Sequence, residues 1–210
     1  VAPTQEEPSA QGNFWDKDEV VAAVTPEAPV TSPRPKARPS QEDRVLAVNL
    51  PEDVAADADF LTKVNTVAKN VGVSEEDLLR VIQFETGGSF APDQQAGTSN
   101  AIGLIQFMPS TATDLGTTSN DLALLNRVEQ MDFVEKYLAR FKGRMQDFGD
   151  LYMAVHFPAA VGKDDDYVVY AKDHEYKGRR KAYEANKGMD VNNDGKVTKA
   201  EAVARAVGDK

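Results

Sequence analysis

Residues 74–90 read SEEDLLRVIQFETGGSF, and the way this stretch starts and stops decides how the rest of the chain is read. Ser74 ahead of Glu75, Glu76 and Asp77 is a helix N-cap: its hydroxyl accepts from free backbone N–H groups, and the three acids complement the helix dipole. Leu78, Leu79, Val81, Ile82 and Phe84 supply the inward face, and Gly87-Gly88 break the helix. Glu85 therefore falls in the last turn, at the edge of a core and close to Phe90. The alternative is an exposed helix-end glutamate.

Helices flank this one. Upstream, Phe60, Leu61, Val64, Val67 and Ala68 recur at helical spacing from about Asp57, with Gly72 as the C-terminal stop. Downstream, Pro109 suits the first position of a helix that ends at Gly116. Val128, Met131, Val134, Tyr137, Leu138 and Phe141 mark an amphipathic helix from Arg127, and a further one runs from Leu151 to Phe157 before Pro158 stops it. No stretch alternates in the manner of a strand, so the expected fold class is mainly α.

Composition narrows the partners. The chain has 210 residues, 41% of them hydrophobic, a formal net charge of -10 and no cysteine. The length allows one medium domain with appendages. The acidic balance argues against attraction to phosphate backbones, so nucleic acid is not expected as a partner. No apolar run approaches the roughly 20 residues that span a bilayer, and no secretion-signal pattern opens the chain. It begins with Val1, which fits a processed product or a piece of a longer chain. A disulfide framework, a thiol nucleophile and thiolate metal ligation are excluded.

Eight of the eleven prolines fall within residues 1–51. Such composition favours an extended or disordered chain over a packed core, so residues 1–56 are read as a tail or tether. Within it, Phe14-Trp15 with Val20, Val21 and Val24 form a candidate docking helix, and Ser32 to Ser40 form a basic, proline-rich island. The core domain is placed at 57–185 and a C-terminal segment at 186–210.

That segment contains DVNNDGKVTKAE, residues 190–201. Asp190, Asn192, Asp194, Lys196, Thr198 and Glu201 occupy positions 1, 3, 5, 7, 9 and 12 of an EF-hand-like calcium loop, with Gly195 at the sharp turn and Val197 apolar at position 8. Hard oxygen donors at alternating positions, a backbone carbonyl at Lys196 and a bidentate carboxylate at the end are what Ca2+ requires. Gly188 is expected to break the helix leading in, and no second loop pairs with this one. A structural, stapling Ca2+ is the expected cofactor, with none for catalysis.

Cleaving a glycosidic bond needs a carboxylic acid that stays protonated near neutral pH, and burial raises a pKa in that direction. Glu85 has the apolar setting. Gly87-Gly88 permit close approach of backbone to ligand, Gln106 offers an amide to a sugar hydroxyl or acetamido group, and Phe107 and Met108 supply an apolar wall. No Gly-x-Ser-x-Gly elbow or phosphate-binding glycine loop is present, and His156 and His174 make no zinc site.

Glu85-Thr86 through Phe90, followed by Gly103-Leu104-Ile105-Gln106-Phe107-Met108-Pro109-Ser110-Thr111-Ala112, resembles the soluble-lytic-transglycosylase and goose-type-lysozyme superfamily, in the form found in phage tail or virion-associated peptidoglycan hydrolases. The resemblance covers roughly residues 57–185. It implies a lysozyme-like α-helical fold, peptidoglycan glycan strands as substrate, and Glu85 as single general acid and then base. It also implies Thr86 and Gln106 in the glycan groove. The setting implied is a phage particle acting on the bacterial cell wall in the periplasm, with other virion or tail proteins as partners of the N-terminal tail. Where the family shows Ala-Tyr-Asn-Ala-Gly, this chain has Ala154-Val155-His156-Phe157-Pro158-Ala159-Ala160. Either His156 replaces the asparagine's hydrogen bond or the site is weakened. Tyr167 is matched to the family tyrosine that hydrogen-bonds the catalytic Glu, with Tyr170 as the alternative. Product chemistry turns on a second carboxylate, for which Asp93 and Asp114 are candidates: hydrolysis needs one, whereas a transglycosylase lets the sugar's own 6-hydroxyl attack and yields a 1,6-anhydro end. The transglycosylase is the preferred reading; a hydrolytic muramidase and an inactive wall-binding or virion structural protein are the alternatives.

Overall fold

Several helix starts are fixed by a side chain that the sequence places one residue ahead of the first turn. The structure, a computed structural model, describes residues 48–95 and 100–208, so the expected tail up to residue 47, its docking helix and its basic island lie outside the described residues. Order begins before Asp57: α1 (Glu52–Ala55) buries Val54, Arg127 pairs with Asp53, and Gln83 donates to the Asn49 carbonyl. The helices α2 (Ala58–Val71), α3 (Glu75–Glu85), α4 (Pro109–Asp114), α5 (Ser119–Leu124), α6 (Arg127–Leu138) and α7 (Phe148–His156) follow. Asp57, Ser74, Thr118, Asn126 and Asp147 each accept a backbone N–H of the first turn they cap, contributing about 1 kcal/mol apiece.

The core forms where α2 crosses α6. Phe60, Val64 and Val67 from one, and Met131, Val134 and Leu138 from the other, are fully buried; each contributes roughly 1.5–3 kcal/mol relative to exposure. Helix α3 packs against α2 on one side and α7 on the other, so its C-terminal end opens beside α7.

The described residues are mainly helical, as expected, and to the helices the chain adds one small sheet that no alternating stretch announced. β1 (Val168–Ala171) pairs antiparallel with β2 (Lys196–Thr198), matching Val168 to Thr198, Tyr170 to Val197 and Ala171 to Lys196, with a bulge between Val168 and Tyr170. Strands of four and three residues are too short to display alternation. Between them lies α8 (Lys177–Asn186), and α9 (Lys199–Ala206) packs on α7. A buried ion pair fastens that contact: Lys199 Nζ lies 2.6 Å from Asp150 Oδ1 and also donates to the Lys163 carbonyl at 2.8 Å. No helix among the described residues is long and apolar enough to cross a membrane.

Candidate active site and C-terminal loop

Glu85 sits seven residues after Leu78, four after Val81 and three after Ile82, so helical spacing puts its carboxyl on the buried stripe of α3. Thr86, Gly87 and Gly88 close the helix end by donating to the carbonyls of Ile82, Phe84 and Gln83, with Gly88 at φ 87°. Burial pushes the Glu85 pKa up to about 7, and among the described residues no carboxylate contributes. Asp93 and Asp114 are both exposed.

Thr86 is turned away from solvent. Only 3% exposed, it donates to the Ile82 carbonyl at 2.7 Å and accepts from Phe90 N–H at 3.0 Å. It staples the turn after the helix and holds Phe90 edge-on to Phe60.

The GLIQF segment forms a tight loop closed by reciprocal hydrogen bonds between Ile102 and Phe107, at 3.0 and 2.8 Å. Its internal support is Gln130, a fully buried amide on α6: Oε1 accepts from Leu104 N–H at 2.7 Å, and Nε2 donates to the carbonyls of Pro92 and Leu122. Gly103 makes room for it, since a Cβ there would meet Gln130 Oε1 at 2.3 Å. Gln106, half-buried at φ 52°, donates to the carbonyls of Gln94 and Gly103, which leaves its side-chain oxygen as the group to offer a ligand. Phe107 is buried with its ring edge-on to Tyr137 at 6.4 Å, and half-buried Met108 precedes α4.

Facing α3, the helix α7 carries Phe148, Tyr152 and His156 at intervals of four, and their rings stack in a column: 6.3 Å with planes 3° apart, then 5.1 Å with planes 9° apart. Phe84 meets Tyr152 edge-on at 5.4 Å. The Tyr152 hydroxyl is buried and finds no hydrogen-bond partner among the described residues. Burial first, and next the charge of Glu85, push the Tyr152 pKa well above the phenol range. Tyr137 is raised too, by burial and by Glu85 against the opposing pull of Arg140, and its hydroxyl donates to the Ala154 carbonyl at 2.7 Å. His156 is pushed down to about 4 by burial, so its ring is neutral at physiological pH, and Nε2 lies 3.0 Å from the Tyr170 hydroxyl.

Of the two tyrosines read from the sequence, Tyr170 is the one brought to this wall. Tyr167 stands in the loop before β1, where its carbonyl accepts from Lys199 N–H and its amide donates to Asp164.

The second constellation is residues 190–201. Asp190 accepts from the amides of Asp194 and Gly195 and, at 2.6 Å, from the Tyr183 hydroxyl. Asn192 and Asp194 accept from the amides two residues on, at 2.8 Å each. Glu201 is folded back as a capping box, its Oε2 accepting from Thr198 N–H and Oγ1. Among the described residues no three acidic or imidazole side chains gather closely enough to grip an ion as they stand. The donor set fits calcium: the oxygens of Asp190, Asn192, Asp194, Thr198 and Glu201 with the Lys196 carbonyl are all hard, and Glu201 Oε1 is a buried oxygen with no partner among the described residues.

Comparisons with protein families, curated proteins and solved structures returned no match.

What sequence reasoning missed is mostly tertiary. Tyr137 and Tyr152 come to Glu85 from helices 52 and 67 residues away in the chain, and neither lies in a motif. The four-residue spacing of Phe148, Tyr152 and His156 was the available signal, because it aligns aromatic rings on one helix face. Gln130 gave none, since a glutamine in an amphipathic helix reads as surface.

Proposed function

We propose that the chain is a peptidoglycan-cleaving lytic transglycosylase in which Glu85 alone serves as acid and then base. The observation that carries this reading is the place of Glu85 in the last turn of α3, beside Tyr137 and Tyr152, a setting whose burial pushes its carboxyl up to about 7. Protonated, Glu85 gives its proton to the oxygen leaving C1 of N-acetylmuramic acid. The carboxylate so formed then takes the proton of the same sugar's 6-hydroxyl as that oxygen bonds to C1, leaving a 1,6-anhydro end. A hydrolase of the retaining or inverting kind needs a second carboxylate across the bond, and among the described residues no carboxylate perturbs Glu85.

The neighbouring groups have matching roles. Apolar and aromatic surroundings disfavour the charged form of the half-buried acid and keep it protonated near neutral pH. The side-chain oxygen of Gln106 accepts from a sugar hydroxyl or acetamido N–H, and neutral His156 supplies a polar edge on the opposite wall in place of the asparagine of the resembled family. The lysozyme-like fold, the phage-particle setting and a tethering role for the chain ahead of α1 belong to the same reading. So does Ca2+ held by Asp190, Asn192, Asp194, Lys196, Thr198 and Glu201, whose binding supplies two positive charges that neutralise the acidic loop.

Mass spectrometry of peptidoglycan digested by the full chain tests the proposal. Anhydro-muropeptides are expected, and their loss in Glu85→Gln. Reducing ends would replace the reading with hydrolysis, absence of any product would leave a binding protein, and undiminished cleavage by Glu85→Gln would remove Glu85 from the chemistry.

A further inference from the structure

The calcium loop and the wall opposite Glu85 share a two-stranded sheet. β2 lies inside the loop, at positions 7 to 9, and Val197 pairs with Tyr170 on β1. In a two-loop EF-hand pair this strand would meet a second loop; here it meets the strand that carries Tyr170. The Tyr170 ring stands edge-on to both His156, at 5.8 Å, and Phe157, at 5.6 Å, and its hydroxyl holds His156 Nε2. His156 in turn stacks on Tyr152.

A second tie runs beside the first. Thr198 at position 9 is followed directly by Lys199, whose buried ammonium grips Asp150, two residues before Tyr152 on α7. β2 is therefore held to the wall twice, through its pairing with the strand that carries Tyr170 and through Lys199, directly after it, to Asp150 on α7.

We infer that divalent-cation binding at residues 190–201 sets the position of His156 and Tyr170 against Glu85, so that the loop controls the site as well as stapling the fold. This rests on the proposed calcium and active-site assignments. A twelfth-position carboxylate grips the ion with both oxygens. Here Glu201 Oε2 is committed to Thr198 and Oε1 has no partner among the described residues, so gripping an ion moves the first turn of α9 and, through Thr198, β2. A two-stranded ribbon is marginal by itself, and three carboxylates on one loop repel one another until a cation neutralises them. Cation binding thus orders the strand on which the register of Tyr170 depends, a local charge change read out by a neighbouring element.

The chain has two histidines, His156 and His174, so ring resonances of histidine-labelled full-length protein are assigned by one His174→Gln control. Calcium chloride is titrated into chelator-stripped protein, with calorimetry reporting binding and the His156 ring resonance reporting the wall. The His156 resonance is expected to move along the same saturation curve as the heat. Glu201→Gln is expected to weaken binding by about tenfold or more and to carry the His156 shift to correspondingly higher calcium. Tyr170→Phe, which keeps the ring and the strand pairing, is expected to bind calcium as the parent does while the His156 shift is largely lost. A His156 resonance that stays still while calorimetry saturates overturns the inference, as does an absence of binding at millimolar calcium. Neither readout depends on product. A chain that binds calcium, moves His156 and releases no muropeptide sinks the enzymatic reading alone.

Discussion

Tyr152 and His156 stack 5.1 Å apart with their planes 9° from parallel, and the Tyr152 hydroxyl at the other end of that contact is buried without a hydrogen-bond partner among the described residues. A buried hydroxyl left unpaired costs about 1–3 kcal/mol, and a fold keeps such a group where a ligand or a moving proton uses it. Tyr152→Phe removes the hydroxyl and keeps the ring. Its melting temperature is expected to equal or exceed that of the parent, while cleavage of peptidoglycan falls. A lower melting temperature with unchanged cleavage would make the hydroxyl a structural group.

Glu85 and His156 titrate in opposite senses, which fixes a stability signature independent of any substrate. The folded chain raises Glu85 from 4.5 to about 7, so it holds that proton more tightly than the unfolded chain does. The stability this adds is full below about 4.5 and is lost as pH rises to about 7. It lowers His156 from 6.5 to about 4, so stability from the neutral imidazole is present above about 6.5 and lost as pH falls through about 4. The two slopes oppose each other over nearly the same window, and the parent should show little net change from them. Glu85→Gln unmasks the histidine: its stability should rise from about pH 4 to 6.5 and exceed the parent's above about pH 7, by up to about 3 kcal/mol. Chemical denaturation across that range measures it, and parallel curves for the two proteins would place the Glu85 carboxyl in water.

These two groups also show where sequence reading reaches and where it stops. Glu85 was legible because its place on the helix is set locally, by a Ser74 cap, a stripe of Leu78, Val81 and Ile82, and the glycine break behind it, whereas the tyrosines of α6 and α7 that complete its surroundings were not. The GLIQF segment was legible as a loop before a Pro109 helix, but the role of Thr86 was not, since one threonine hydroxyl serves a groove or a turn with equal ease. Tyr170 required the β1–β2 register, set between segments some 27 residues apart by pairing too brief to pattern the sequence. The expected order starting near Asp57 missed α1, because four residues carrying one buried valine leave almost no periodicity.

Gly103 and Gln130 are matched across the GLIQF loop. Gly103→Ala places a methyl 2.3 Å from Gln130 Oε1, at a φ of 85° that side chains disfavour, and should destabilise by about 1–3 kcal/mol. Gln130→Ala orphans the Leu104 amide together with two carbonyls and should cost a similar amount or more. The double variant removes the clash along with the amide, so its loss in a denaturant melt should be smaller than the sum of the singles. Strict additivity would mean that Gly103 is needed for its backbone angle alone.

Lys199 and Asp150 test whether residues 186–210 fold as an appendage or as part of the wall. Burial works against the Asp150 charge, yet the Lys199 ammonium and the amides of Gln146 and Gly162 hold its carboxyl below the usual range. Stability from this carboxylate is present above the unfolded value and lost as pH falls through the lower folded one. Lys199→Met strips the cation and leaves a buried carboxylate, for which a loss of about 3–5 kcal/mol is expected. With its main partner gone the carboxyl takes up a proton at higher pH, so the acid-unfolding midpoint should move upward. Because Asp150 lies on α7, hydrogen exchange should quicken at the amides of Tyr152 to His156 as well as along α9. Faster exchange confined to α9 would make the C-terminal segment an independent staple and cut the second tie between the loop and the site.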